Sequence, residues 1–88
     1  MSAFESAAAD VKNLKAKPND QELLELYGLY KVGNGEDFAA ATKPSAFDFK
    51  GKYKYNEWKK RVDEGLTPEK AQEKYIALVE QLKEKYGF

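Results

Sequence analysis

An all-α four-helix bundle with a long ordered crossover between its second and third helices is the fold this sequence predicts. Apolar residues recur at helical spacing in four runs, start or stop residues punctuate those runs, and no stretch alternates like a strand over a useful length. The 88 residues suffice for one domain, 1–88, and leave no room for a second domain with a cleft between.

The first helix opens at Ser2, with Glu5 three residues on in a capping-box pattern. Phe4, Ala7, Ala8, Val11 and Leu14 follow at helical spacing, and Lys17-Pro18 is expected to end the run. The second helix starts at Asn19 or Asp20 with Glu22 in its first turn; Leu23, Leu24, Tyr27 and Tyr30 form its apolar stripe and Gly33 closes it. The third is shorter, about Lys52 to Val62, with Tyr55 and Trp58 at i, i+3 and Gly65 beyond. The fourth takes Thr67 as N-cap, Pro68 at its first position and Gly87 past its end. Ala71, Tyr75, Leu78, Val79, Leu82 and Tyr86 make its stripe.

Between Gly33 and Gly51 lies a connection too long to be a passive link. Its Phe38, Pro44, Phe47 and Phe49 predict an ordered segment packed on the bundle. A helix of about 13 residues is roughly 20 Å long, and some 18 extended residues span about 60 Å. The loop therefore returns along the whole bundle, so that the third helix runs parallel to the second. Short connections elsewhere imply antiparallel neighbours.

Composition removes several functions. There is no His and no Cys, which excludes the commonest general base and the usual zinc and thiol chemistries. Ser2, Ser6 and Ser45 do not lie in a nucleophile elbow. The acid pairs Glu36-Asp37 and Asp63-Glu64 read as solvated, and Gly33-Asn34-Gly35 follows a helix rather than the strand that a phosphate-cradling loop requires. No apolar run suggests a membrane span and the N-terminus lacks a signal-peptide pattern, so a cytoplasmic location is expected. No exposed heptad seam argues for self-association, and a monomer is expected. Neither a metal nor a cofactor is expected.

Charge is informative by segment. Residues 1–30 and 63–88 are each net −2, whereas residues 31–62 carry eight Lys/Arg against four acids, net +4. A nucleic-acid surface would spread more excess charge over a wider face, so nucleic acid is not expected as a partner. A ligand with a few phosphates suits the distribution better.

Two stretches fit such a ligand. In Tyr27-Gly28-Leu29-Tyr30-Lys31, Tyr27 and Lys31 are i, i+4 neighbours, so a phenol and an ammonium share one helix face with Tyr30 beside them. Gly28 in mid-helix costs about 1 kcal/mol relative to Ala, which implies a close approach there. In Asp48-Phe49-Lys50-Gly51-Lys52-Tyr53-Lys54-Tyr55, followed by Trp58, lysines alternate with rings that could stack on a base. Each stretch taken alone also reads as aromatic core beside solvated lysines.

Together they resemble the acyl-CoA-binding protein family over essentially the whole chain. The resemblance runs from Phe4, Ala7-Ala8, Leu14 and Lys17-Pro18 through Leu23-Leu24 and Tyr27-Gly28-Leu29-Tyr30-Lys31. It continues in Pro44, Asp48-Phe49, Gly51-Lys52-Tyr53-Lys54, Trp58, Tyr75-Ile76 and Leu82-Lys83-Glu84-Lys85-Tyr86-Gly87. It implies non-catalytic binding, transport and buffering of medium- to long-chain fatty acyl-CoA esters. By the same resemblance Tyr27, Lys31 and Lys54 would hold the 3′-phosphate and adenine region, with Tyr30 and Tyr75 lining the seat. Lys12 would approach from the first helix, and Phe4, Ala8, Leu23 and Leu24 would line an acyl groove. The chain departs from the family pattern in three places. Tyr55 stands where Trp is usual, the loop Val32–Asp37 is one residue longer, and the turn Asp63–Leu66 is extended.

Expected partners beyond the ligand are enzymes that make or consume acyl-CoA and, transiently, membrane surfaces, although no helix opposes a Lys-rich face to a bulky apolar one. The alternative from another class is a helical protein–protein interaction module whose aromatic-basic face docks an acidic peptide. An acyl-CoA hydrolase is the enzymatic alternative.

Overall fold

The computed structural model describes residues 2–88. Four helices and one short 3₁₀ turn follow in order: α1 (Ala3–Val11), α2 (Asp20–Gly33), the 3₁₀ turn (Phe38–Ala40), α3 (Phe49–Asp63) and α4 (Pro68–Tyr86). No strand occurs among the described residues.

The ends of the helices show why they start where they do. Ser2 Oγ accepts the Glu5 N–H at 3.1 Å, satisfying one orphan donor of α1. In α2 the capping box is complete: Asn19 Oδ1 accepts the Glu22 N–H at 2.8 Å and Glu22 Oε1 accepts the Asn19 N–H at 2.9 Å. Thr67 caps α4, Pro68 stands at its first position and Gly87 ends it, all as expected.

Two boundaries differ from expectation. Helix α1 stops at Val11, well before Lys17-Pro18, because the Lys12 and Asn13 N–H groups fold back to the Ala9 and Asp10 carbonyls. The Asn13 amide also donates to Ala9 O, the side-chain competition that makes Asn a poor helix interior. Leu14 therefore packs on the core from a loop rather than from the helix. Helix α3 begins at Phe49, three residues before Lys52, because the Asp48 carboxylate accepts the Gly51 N–H at 2.9 Å and caps a turn that lacks apolar periodicity.

Helices α2 and α4 form the centre. α4 packs on α2 and on α1, and α3 packs on the other side of α2. Contacts pair Tyr27 with Lys54 and Lys31 with Trp58, so α3 runs parallel to α2, as the long crossover requires. Gly33 meets Gln72 while Glu22 meets Lys85, so α2 and α4 are antiparallel. Short connections do reverse the chain, but the backbones of α1 and α2, and of α3 and α4, do not approach closely. They meet through side chains such as Phe4 with Tyr30 and the cluster that holds Trp58 and Ala71. Each instead grips the helix across from it.

Phe4, Ala7, Leu26, Leu29, Tyr75, Val79 and Leu82 make the main core; Val32, Trp58 and Ala71 make a second. The stripe expected on α2 is thus displaced by one position. Leu26, Leu29 and Val32 are its buried residues, whereas Leu23, Leu24 and Tyr27 are half-buried and Tyr30 is 39% exposed. Packed on two sides, the helix has two buried faces, and the residues expected in the core lie on a third. Gly28 marks the close approach: a Cβ there would lie 3.2 Å from the Glu57 carbonyl and 3.0 Å from the Arg61 stem. Its partner is helix α3.

The crossover is anchored at one end only. Phe38 packs against Tyr55 and Trp58, with ring centroids 4.8 and 5.0 Å apart. Phe47 and Phe49, expected on the bundle, are instead 89% and 67% exposed.

One polar cluster ties the far end of α2 to α4. Glu22 accepts from the Tyr86 hydroxyl and pairs with Lys85 at 3.0 Å. Those bonds, Tyr86 first and the Asn19 N–H next, hold its carboxyl down from the ordinary 4.5 to about 2. A depressed carboxylate stabilises the fold fully above its unfolded value, and that contribution disappears as pH falls through the folded one. Thermal melts followed by circular dichroism should show Glu22→Gln less stable than the parent at neutral pH, with the gap closing between 4.5 and about 2. A gap that stays constant across that window would contradict the assignment.

Candidate functional site

Because α1 and α2 both grip α4 and their backbones stay apart, meeting through the Phe4 ring at one end, a cleft opens between them. Its volume is about 660 Å³, and its walls are mainly apolar: Ala8, Ala9 and Val11 from α1, Leu23 and Leu26 from α2. Polar groups stand among them: Glu5, Lys12, Tyr27, Tyr30, Tyr75 and Lys54. An apolar trough with a few placed polar groups is the usual form of a small-molecule site.

Seven of the ten candidate residues line this cleft: Lys12, Tyr27, Tyr30, Lys54, Tyr75, Ala8 and Leu23. The other three sit elsewhere. Phe4 is buried against Tyr30 and Tyr75, with ring centroids 5.5 and 5.2 Å away. Leu24 lines a neighbouring cleft of about 450 Å³ with Lys17, Asp20, Leu23, Lys50, Tyr53 and Lys54. Leu23 and Lys54 belong to both clefts, so the two adjoin. Lys31 lies outside both, 5.5 Å from the Trp58 ring.

The electrostatic centre is Tyr27. Its ring has Lys31 Nζ at 5.6 Å and Lys54 Nζ at 5.4 Å, one ammonium from its own helix and one from α3. The quadrupole of a ring face attracts both cations, which lets two like charges gather without an anion between them. Lys31 also carries an ion pair to Glu36 in the long loop, at 3.0 Å. On the far side of Tyr27 and Lys54 lies a smaller cleft of about 290 Å³, lined by Thr42, Lys43, Pro44, Tyr55 and Trp58 among others. The indole N–H of Trp58 is buried and has no hydrogen-bond partner among the described residues.

Tyr30 lies tilted against Phe4 and Tyr75 meets it edge-on, their own centroids 5.9 Å apart. Burial, with Tyr30 as the lesser cause, pushes the Tyr75 hydroxyl up to about 12, so the phenol stays neutral and can donate. Under this group, Gly33 is the last residue of α2 and is itself buried. It ends α2 as expected, and the positive φ of the turn that follows falls on Gly35. A Cβ at Gly33 would lie 2.8 Å from Phe4 Cζ, so glycine here makes room for the ring. Gln72 Nε2 donates to the Gly33 carbonyl at 2.8 Å and fixes the contact.

Sequence reasoning missed Ala9, Val11, Leu26 and Glu5 in the main cleft and Lys17, Lys50 and Tyr53 in its neighbour. Helical spacing from Ala8 to Val11 and from Leu23 to Leu26 carries part of that signal. Among the described residues no group of His, Cys, Asp or Glu is placed to hold a metal ion, and no helix is long and apolar enough to cross a membrane.

The fold and cleft define a small helical binding domain whose groove joins an apolar trough to a pair of cations around a tyrosine. Comparison with known proteins narrows the class. A family model described as acyl CoA binding protein matches residues 1–79. Acyl-CoA-binding protein homolog 1 of Caenorhabditis elegans is 47% identical over 85 residues, 97% of this chain and 95% of the relative. The acyl-CoA-binding protein of Dictyostelium discoideum is 45% identical over 87 residues, 99% of this chain and 100% of that one. The crystal structure of Oryza sativa acyl-CoA-binding protein 2 superposes with a TM-score of 0.80 at 35% identity, over 94% of this chain and 89% of that one. The chain belongs to the acyl-CoA-binding protein family, whose members here are named as binding proteins and not as enzymes.

Filling the space at Gly33 tests the seat directly. Overpacking costs about 1–3 kcal/mol, and in a domain of this size each kcal/mol shifts Tm by about 4–8 °C. Gly33→Ala should therefore melt at least several degrees below the parent in calorimetry, whereas an unchanged Tm would mean the Phe4 ring has room to move.

Proposed function

We propose that this chain binds medium- to long-chain fatty acyl-CoA esters without catalysis, as a single binding domain that transports and buffers them in the cytoplasm as a monomer. The observation that carries the reading is Tyr27, flanked by two ammonium groups at the edge of a cleft whose walls are apolar. The names of the relatives support the ligand class.

The chemistry divides by polarity. Lys31 and Lys54 would meet the phosphates, and Tyr27 would stack near the base. Lys12 would approach from α1, and Tyr30 with the neutral Tyr75 would offer hydroxyls along the seat. Ala8, Leu23 and, in the adjoining cleft, Leu24 would cover the acyl chain, with Phe4 supporting them from below. Each charge-assisted contact contributes about 1.5–3 kcal/mol, and each buried methylene about 0.8 kcal/mol. A long tail therefore supplies more than the phosphates, and affinity needs both ends of the ligand.

Calorimetric titration tests this. Palmitoyl-CoA should bind one-to-one and tightly, free CoA more weakly and palmitate poorly. Lys54→Ala should weaken palmitoyl-CoA about ten- to a hundredfold with the helical signal retained. No binding of the ester, or equal binding of palmitate, would remove the reading.

Lys31 adds a second test. A phosphate arriving there must displace Glu36, so the carboxylate competes for the same cation. The pair is partly exposed and screened by solvent, so Glu36→Gln should tighten CoA-ester binding by about two- to fivefold. Weaker binding in that variant would mean that Glu36 orients Lys31 for the ligand.

A further inference from the structure

Phe47, Phe49 and Tyr53 are 89%, 67% and 62% exposed, the largest cluster of uncovered rings on the molecule. Phe49 and Tyr53 are i, i+4 on the first turns of α3 and share a face, and Phe47 precedes them in the loop. Lysines interleave with these rings. Residues 43–55 contain Lys43, Lys50, Lys52 and Lys54 against one acid, Asp48, whose carboxylate is taken up in capping α3. Among the described residues, Lys43, Lys50 and Lys52 form no ion pair.

We propose that this face docks on an anionic lipid bilayer, with the rings entering the headgroup region and the lysines meeting the lipid phosphates and carboxylates. The composition distinguishes the occupant. Protein interfaces are enriched in aromatics but depleted of lysine, whereas aromatic rings beside lysines are the signature of a membrane–water interface. The rings already protrude, so insertion requires no repacking of the core. The site also has a position that matters: Lys50 and Tyr53, on the same turns, line the cleft that holds Leu23 and Leu24. Docking therefore brings the apolar cleft to the bilayer, where an acyl chain could pass between them. That consequence rests on the proposed acyl-CoA binding; the docking does not.

The test is co-sedimentation of the ligand-free chain with phosphatidylserine–phosphatidylcholine vesicles and with phosphatidylcholine vesicles, at low and high salt. Partition onto the anionic vesicles alone, weakened by salt, is expected. Phe47→Ala with Phe49→Ala, and separately Lys43→Gln with Lys52→Gln, should each lower that partition about tenfold or more. Circular dichroism and palmitoyl-CoA titration of the same variants report folding and ligand binding independently. Failure of the parent to sediment, with palmitoyl-CoA binding intact, would overturn the docking and leave the ligand reading standing. Equal partition of parent and both variants would overturn the assignment of this face. Binding of polyglutamate without binding of vesicles would replace the bilayer with an acidic protein partner.

Discussion

The Phe4 ring seated on Gly33 governs where the first helix can lie. A glycine at the last position of α2 lets the ring come within the space a Cβ would fill, and Tyr75 closes on its edge from α4. Edge-on aromatic contacts of this kind contribute about 0.5–1.5 kcal/mol beyond burial. They fix the start of α1 against α4 and the end of α2. Further along, Asp10 pairs with Lys83 at 2.7 Å, again on α4. Held at two points to α4, α1 meets α2 through the Phe4 ring while its backbone stays apart from that helix, and the space left between them is the cleft. The cleft is therefore a consequence of which helix α1 prefers.

That arrangement explains why α2 carries so much of the chemistry. One face of the helix meets α4 through Leu26 and Leu29, and another meets α3 through Gly28 and Val32. The third looks into the cleft with Leu23, Tyr27 and Tyr30. A helix with two buried faces can present side chains to a ligand with little freedom of its own. Glu22 secures one end through Tyr86 and Lys85, and Gln72 secures the other through the Gly33 carbonyl. The tyrosines are thus displayed on a clamped rod.

Much of this was legible in the sequence, and the exceptions have physical causes. Thr67, Pro68 and Gly87 bound α4 because cap residues act locally, and the parallel course of α3 followed from loop length alone. The stripe on α2 was misassigned because Leu, Tyr and Leu, Leu repeat along all its faces, and periodicity cannot say which face a neighbour will cover. The start of α3 was missed because Phe49, Lys50 and Gly51 have no apolar period; the Asp48 cap was the available signal. Phe47 and Phe49 were expected inside because aromatics usually are, yet nothing in a local pattern says whether a loop turns its rings inward. The lining residues Tyr27, Tyr30, Lys54 and Tyr75 come together from three helices, and only the family resemblance joined them in advance.

The loop after Lys31 carries its own anchor. A loop of this length would ordinarily cost entropy and float free, but this one closes on α3 through Phe38, whose ring reaches Tyr55 and Trp58. With Phe38 docked, the preceding turn is drawn over the end of α2, and Glu36 lies within an ion pair of Lys31. The loop therefore reaches the bundle at two neighbouring points, the Phe38 ring and the Glu36 carboxylate. Lys31 lies 5.6 Å from the Tyr27 ring and 5.5 Å from that of Trp58 while paired with the Glu36 carboxylate, which lowers its repulsion of Lys54 across the tyrosine. Glu36 is also held locally, its N–H donating to the Lys31 carbonyl at 3.3 Å, so the carboxylate stands beside Lys31 through its own turn as well as through the neighbouring Phe38 contact.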